Sequence, residues 1–169
     1  DMLASGLAAK ERADMLVKYV DALLELYPSC KAVVFGPSHK FLSRESIENH
    51  SDKAVTRFIY YAVNVRYFSI QGTEDMMVDS LGMSTLFLPD VQYHFHGMNP
   101  DEVVNHAYSV LYYIFEHDNP IGDGETIAGL ENGDMSPDIQ WKVQYEDSLI
   151  QPVREVLDIN MGEYASGTR

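Results

Sequence analysis

The chain of 169 residues has little of what would tie it to a membrane, to an oxidising compartment or to nucleic acid. Its single cysteine, Cys30, excludes an internal disulfide, which suits a reducing, cytoplasmic compartment. Its longest apolar stretches, such as residues 58–63, fall far short of the roughly 20 residues that a membrane-spanning helix needs. Basic residues are also scarce, because 12 Lys and Arg stand against 26 Asp and Glu, a formal net charge of −14.

This shortage of positive charge decides which partners we expect. A strongly negative field repels phosphates, and no cluster of Lys and Arg offsets it, so nucleic acid is not predicted as a partner. The same charge favours association with a basic protein, which charge complementarity would steer and salt would weaken. The competing interpretation is that the acidic residues only keep the protein soluble. The oligomeric state is left open.

No signal peptide is visible at the start of the sequence. The sequence starts with Asp1-Met2-Leu3, and no basic segment followed by an apolar one indicates a signal peptide. Because this start falls inside a helical pattern, we expect that an N-terminal part is missing. The length and the 46% apolar content predict a single globular domain over residues 1–161, followed by a frayed tail over 162–169.

Two segments have the periodicity of amphipathic helices. In residues 3–27, apolar side chains recur at intervals of three and four between charged ones. The second helix has a clearer start, with Asn99 as N-cap and Pro100 at the first helical position, and its apolar stripe continues to about residue 117. A short polar helix is predicted from Ser43 to Ser51.

Strands are predicted where polar and apolar residues alternate, or where turn residues bound a short apolar run. They cover residues 31–35, 63–70, 76–81, 91–96, 139–145 and 153–159. Residues 118–137 are predicted as a long acidic loop. This order favours an α+β fold, with a mainly antiparallel sheet of five to six strands and two main helices packed on one face. A ferredoxin-like arrangement is an option if a further strand precedes the first helix.

Four short motifs are shared with one protein family. They are Asn64-Val-Arg66, Asp79-Ser-Leu-Gly82-Met, Leu88-Pro89-Asp90 and Asp123-Gly-Glu-Thr-Ile-Ala-Gly129. Together they resemble a bacterial family described only as a domain of unknown function, family 4261, and the likeness covers most of the chain. The chain departs from the family pattern at Met83, which follows Gly82, and at Phe87, which replaces a glycine. The resemblance implies a fold, and it implies no catalytic residue.

His94 and His96 form the pair that most resembles a metal site. Residues i and i+2 of a strand project from the same face, so two imidazoles could share a divalent cation. His106 or Asp90 could supply a third ligand, although no spacing in the sequence requires it. No cofactor is predicted, and a divalent metal is the alternative to two histidines on a solvated face.

The acidic loop raises the question of calcium. Asp118, Asp123 and Glu125 offer the hard oxygen ligands that calcium prefers. The register of an EF-hand fails, because Leu130 falls at the twelfth position when Gly124 occupies the sixth. A solvated loop is therefore expected, with an irregular calcium site as the alternative.

Strands from three parts of the chain would bring polar side chains together if they share one sheet. The polar positions are Asn64, Arg66, Gln92, His94, His96, Gln140, Lys142 and Gln144. We hypothesise that Arg66, Gln92, His94, His96 and Lys142 form a recognition surface for an anionic small molecule or a protein. The alternative is a polar sheet face that is merely hydrated. In both cases, the apolar residues that alternate with these polar positions should face the helices: Tyr93, Phe95, Trp141 and Val143.

No complete catalytic constellation is visible in the sequence, so enzymatic activity is left open. The favoured function is a non-catalytic, acidic module for protein interaction or binding. The alternative is a metal-assisted hydrolase or a small-ligand-binding enzyme that uses the strand face of His94 and His96.

Overall fold

The computed structural model of the protein describes residues 6–50 and 56–167. Within this range the helices are α1 (Ala9–Leu26), α2 (Arg44–Glu48), α3 (Arg57–Ala62) and α4 (Pro100–Glu116). The strands are β1 (Ala32–Phe35), β2 (Lys40–Ser43), β3 (Asn64–Ser69), β4 (Met76–Leu81), β5 (Asp90–Phe95), β6 (Thr126–Glu131), β7 (Asp134–Asp147) and β8 (Glu155–Asn160). None of the helices in the described range is both long enough and apolar enough to cross a membrane.

The chain divides into two compact units, and the first holds the described residues up to Asn64 together with Leu81–Leu88. In this unit α1 buries an apolar stripe and contacts both α3 and the 3-10 turn at Met83–Leu86. The strands β1 and β2 pair antiparallel and form a small sheet of their own. The hydroxyl of Ser43 caps α2 by accepting a hydrogen bond from the backbone N–H of Ser46 at 3.0 Å.

The second unit, Val65–Ser80 and the described residues from Pro89 onward, contains most of the main sheet. That sheet has six strands in the order β3-β4-β5-β8-β7-β6. The pairs β4–β5, β8–β7 and β7–β6 are antiparallel, whereas β5 and β8 run parallel. Among the described strands, β6 therefore has a neighbour on one side only.

The side chains of β5 alternate between an apolar and a polar face. Tyr93 and Phe95 are fully buried, and the hydroxyl oxygen of Tyr93 lies 2.9 Å from Nδ1 of His106 on α4. This face therefore packs against α4, and Gln92 and His94 project from the opposite face. Trp141 and Val143 of β7 are buried as well. The predicted orientation of these four apolar side chains is confirmed.

The predicted fold class is confirmed, since the protein is α+β with a mostly antiparallel sheet. The ferredoxin-like option finds no support in the described strands, because β1 pairs with β2 outside the main sheet. The packing of both main helices on one face and the single domain over residues 1–161 stay predictions. Parts of the predicted first helix (3–5), short helix (51) and tail (168–169) lie outside the described residues.

Two details of the prediction are wrong. The long loop at 118–137 contains β6 and the start of β7. Gly129 suggests a turn, but a Cβ there would lie 2.7 Å from Cε2 of Trp141, so the glycine leaves room for the side chains of β7. Most of the tail is held rather than frayed, because the backbone N–H of Ser166 donates to the carbonyl of His94 at 2.9 Å.

Candidate functional site

The polar face of β5, which carries Gln92 and His94, is covered by another part of the chain. Gln92 is fully buried. Its side-chain nitrogen donates to Oδ1 of Asp158 at 3.0 Å, and its side-chain oxygen accepts from the backbone N–H of Leu149 at 2.8 Å. The connection between β7 and β8, residues 148–154, therefore lies over this face. The expectation that Gln92 faces water is wrong.

Asp79 is the centre of this covered region and has no exposed surface. From β3, Arg66 donates to its carboxylate through Nε at 2.8 Å and through Nη2 at 2.5 Å. Arg154, which directly precedes β8, donates to the same carboxylate through Nη2 at 2.8 Å. Charge-assisted bonds of this kind are stronger than neutral ones. Arg66, which is predicted to contact a ligand, pairs with this buried carboxylate.

Arg154 also fixes the connection to the sheet. Its guanidinium donates to the backbone carbonyls of Ile150, Pro152 and Ser80 at 3.2, 2.9 and 2.6 Å. Its Nε lies 3.5 Å from Oδ2 of Asp90, whose other carboxylate oxygen accepts from the hydroxyl of Ser80 at 2.8 Å. The side chain of Arg154 therefore connects β4 and β5 to the backbone of residues 148–154.

The covered face is net acidic, whereas a surface for an anionic small molecule, as hypothesised from the sequence, would need positive charge. We call its ionised residues the buried charge cluster. They are Arg66, Asp79, Asp90, Glu146, Arg154 and Asp158. The guanidinium groups pair with Asp79 and Asp90, whereas Glu146 and Asp158 accept from the side-chain amide of Gln92. Of the five residues predicted to bind a ligand, His96 and Lys142 are the exposed ones.

His94 and His96 contact the C-terminal segment. The hydroxyl oxygen of Ser166 lies 2.8 Å from Oδ1 of Asp75 and 3.1 Å from Nδ1 of His96. The Nε2 of His94 lies 3.9 Å from Oδ2 of Asp75. In the part of the chain that the structure describes, no three His, Cys, Asp or Glu side chains are grouped so that they could hold a metal ion.

His106, named above as a third metal ligand, lies in the core on the opposite side of the sheet. Its Nε2–H donates to the carbonyl of Ala128 at 2.8 Å, so its Nδ1 accepts from the hydroxyl of Tyr93. Each ring nitrogen of neutral His106 therefore has a hydrogen-bond partner. Burial lowers the pKa of His106 below its usual value, and burial together with Asp158 raises the pKa of Tyr93 well above its usual value.

The acidic residues of the predicted loop have separate local roles. Asp123 accepts the backbone N–H of Tyr145 at 2.8 Å, and Glu125 accepts that of Gly122 at 2.8 Å. Both carboxylates therefore fix the path of the chain before β6. Asp118 is exposed just after α4, with a φ of 57°. The calcium site stays a prediction.

A groove of about 510 Å³ lies between α4 and β6. Val110 and Tyr113 of α4 line one side, and the four consecutive residues 125–128 line the other. Successive residues of a strand point to opposite faces, so contact with both Thr126 and Ile127 brings the groove to the outer edge of β6, and Met135 and Gln140 extend it onto β7. The sequence did not predict this groove, because Gly129 and the acidic residues before β6 are typical of a loop rather than of a strand.

The outer edge of β6 presents backbone hydrogen-bonding groups to this groove. The carbonyl of Ala128 accepts from His106 on α4, so it points away from β7. Backbone groups alternate sides along a strand, and the N–H and C=O of Thr126 therefore point outward too. The Ala128 carbonyl is already bonded to His106, so a strand added at this edge would pair with the backbone groups of Thr126.

Nearly half of the chain, including most of these features, has a counterpart in a protein family. Residues 79–160 match the family model for a domain of unknown function (DUF4261). The predicted resemblance is confirmed over this range rather than over most of the chain. The DUF4261 region contains α4, β5–β8 and all of the buried charge cluster except Arg66. No curated protein and no solved structure matches the chain.

Replacing Asp79 tests the buried charge cluster. We expect Asp79→Asn to lower the free energy of unfolding by about 3 kcal/mol, because Arg66 and Arg154 lose a buried counter-charge. Chemical denaturation measures the change, and Asp147→Asn at an exposed position of β7 is the matched control. A loss no larger than that of the control would contradict the role of Asp79.

The buried His106 predicts a pH dependence of stability. The pKa of His106 is lower in the folded protein than in the unfolded chain. As the pH falls below about 6.5, the imidazole is therefore protonated in the unfolded chain while it stays neutral in the folded protein, and the free energy of unfolding decreases. We expect the wild-type protein to lose up to about 1.4 kcal/mol per pH unit more than His106→Asn below that pH. Denaturation curves between pH 7.5 and 5.5 measure this, and equal slopes for the two proteins would refute it.

Proposed function

We propose that this protein is a non-catalytic binding module that takes up an extended, basic segment of a partner protein along the outer edge of β6. The observation that carries the proposal is the groove beside the outward-facing N–H and C=O of Thr126. A segment added to a sheet edge gains main-chain hydrogen bonds, while pockets beside the edge select its side chains.

The lining of the groove defines the chemistry of the segment. Val110, Ile121 and Ile127 supply apolar walls, and Glu125 supplies a carboxylate at the rim. No Lys or Arg is among the described residues that line the groove. In an extended segment, side chains alternate between two sides, so apolar residues would enter the groove while Lys or Arg between them face the acidic surface.

A display library of random 12-residue peptides tests the proposal without a known partner. Selection on the immobilised protein should enrich peptides in which apolar residues alternate with Lys or Arg. Their affinities, measured by fluorescence anisotropy, should fall as the salt concentration rises. Failure to enrich any peptide, or enrichment of acidic peptides, would refute the proposal.

Two variants at Thr126 locate the binding site. Thr126→Pro removes an outward N–H but no bond to β7, and sheet edges tolerate proline. We expect it to weaken peptide binding roughly tenfold, the effect of losing about 1.4 kcal/mol. Thr126→Val keeps the N–H and should bind as the wild type does. Equal affinities of the two variants would place the peptide elsewhere.

One observation keeps the metal-assisted hydrolase as a second candidate. Among the described residues, Nε2 of His94 is buried without a hydrogen-bond partner, and the Asp75 carboxylate lies 3.9 Å away. A metal bound there would recruit His96 or solvent as further ligands. Titration of chelator-stripped protein with zinc and manganese should then show binding that His94→Ala/His96→Ala abolishes. Absent binding, or binding that the double variant keeps, removes this candidate.

A further inference from the structure

The outer face of α1 is apolar, although the helix already buries its opposite face. The buried side is formed by Ala9, Ala13, Val17, Val20 and Leu24. On the other side, Met15, Tyr19 and Leu26 are 59, 64 and 72% exposed, and Ala22 between them is exposed as well. With about 100° per residue, these four positions fall in an arc about 60° wide. We call them the outer stripe.

The outer stripe has the spacing of a helix–helix seam. Its members follow one another at intervals of four, three and four residues, which is the a/d pattern of a coiled coil over two heptads. We propose that this stripe binds the same stripe of a second copy of the chain, with the two α1 helices antiparallel.

Side-chain size favours the antiparallel orientation. A two-fold axis through the middle of the stripe places Tyr19 of one copy against Ala22 of the other, and Met15 against Leu26. On each side of the axis, the ring of Tyr19 then packs against the small side chain of Ala22, which suits knobs-into-holes packing. A parallel pair would instead set Tyr19 against Tyr19 and Ala22 against Ala22.

Charge favours the same orientation. Lys18 and Glu25 flank the outer stripe on one side, at equivalent heptad positions. In the antiparallel pair, Lys18 of each copy lies beside Glu25 of the other, which gives two symmetric ion pairs. In the single chain, Nζ of Lys18 lies 2.7 Å from Oδ2 of Asp14, one helical turn earlier. An ion pair of this kind at the surface contributes little to stability. Leu16 and Leu23, both half-exposed, border the stripe on its other side.

The contact is limited to one helix face. It is therefore smaller than a standard interface of about 1,600 Å², and we expect a dissociation constant in the micromolar range. Sedimentation equilibrium between about 5 and about 500 µM covers that range. Wild-type protein should change from monomer to dimer over this interval. A monomer at every concentration, or assembly beyond the dimer, would overturn the proposal.

Substitutions in the outer stripe identify the interface. Tyr19→Glu should leave the protein monomeric throughout, because it buries a charge against Ala22 of the second copy. Val153→Glu is the matched control, since Val153 is also exposed, at 60%, but lies in the other compact unit. Circular dichroism melting curves check that both variants fold. Dimerisation of Tyr19→Glu with the wild-type affinity would refute the interface.

A charge exchange tests the orientation. Lys18→Glu should weaken dimerisation at least threefold, and Lys18→Glu/Glu25→Lys should restore it. Repulsion between Asp14 and the carboxylate introduced one turn later in the same helix persists in the double variant, so restored affinity reports pairing between the copies. Failure of the double variant to recover, while the single variant is weakened, would exclude the antiparallel pair.

Discussion

The carboxylate of Asp79 is buried in the middle of a sheet, and its need for counter-charge shapes the surrounding structure. A buried carboxylate is stable only when it is paired and hydrogen-bonded. One guanidinium comes from β3, and the other comes from Arg154 beside β8. Because Arg154 also binds carbonyls of residues 148–154, this connection must fold onto the sheet. Gln92 is buried as a result, and its hydrogen bonds to Asp158 and Leu149 follow from that burial.

The outer edge of β6 is where we propose that a partner segment binds. The polar face that would serve as an open recognition surface is occupied by contacts within the chain, and α4 covers the apolar face next to β5. The outer edge of β6 keeps outward-facing backbone groups and a groove with apolar walls. We propose a basic segment rather than an anionic ligand because the chain carries a formal net charge of −14.

Periodicity predicted the helices α1 and α4, whose apolar stripes are buried, and the alternating strands β3 and β5. β6 was missed because Gly129 breaks its alternation, and the reason for that glycine is the ring of Trp141, which is distant in sequence. Gln92 was misplaced for a similar reason: alternation gives its face but not the loop that covers it. His106 carried a usable signal, since it lies within the apolar stripe of α4 between Val103 and Val110. A polar residue there favours a hydrogen-bonded core position over a metal ligand.

Hydrogen exchange of the connection over β5 tests the central claim most directly. If the Asp79 cluster holds residues 148–154 on the sheet, the amides of Ser148 and Leu149 are protected by their bonds to Arg154 and Gln92. Their exchange free energies should then equal those of the β5 amides, because the connection cannot open without exposing the buried charges. Exchange of Leu149 near the rate of an unstructured peptide, while β5 stays protected, would show that the cluster does not hold the connection and would contradict the account.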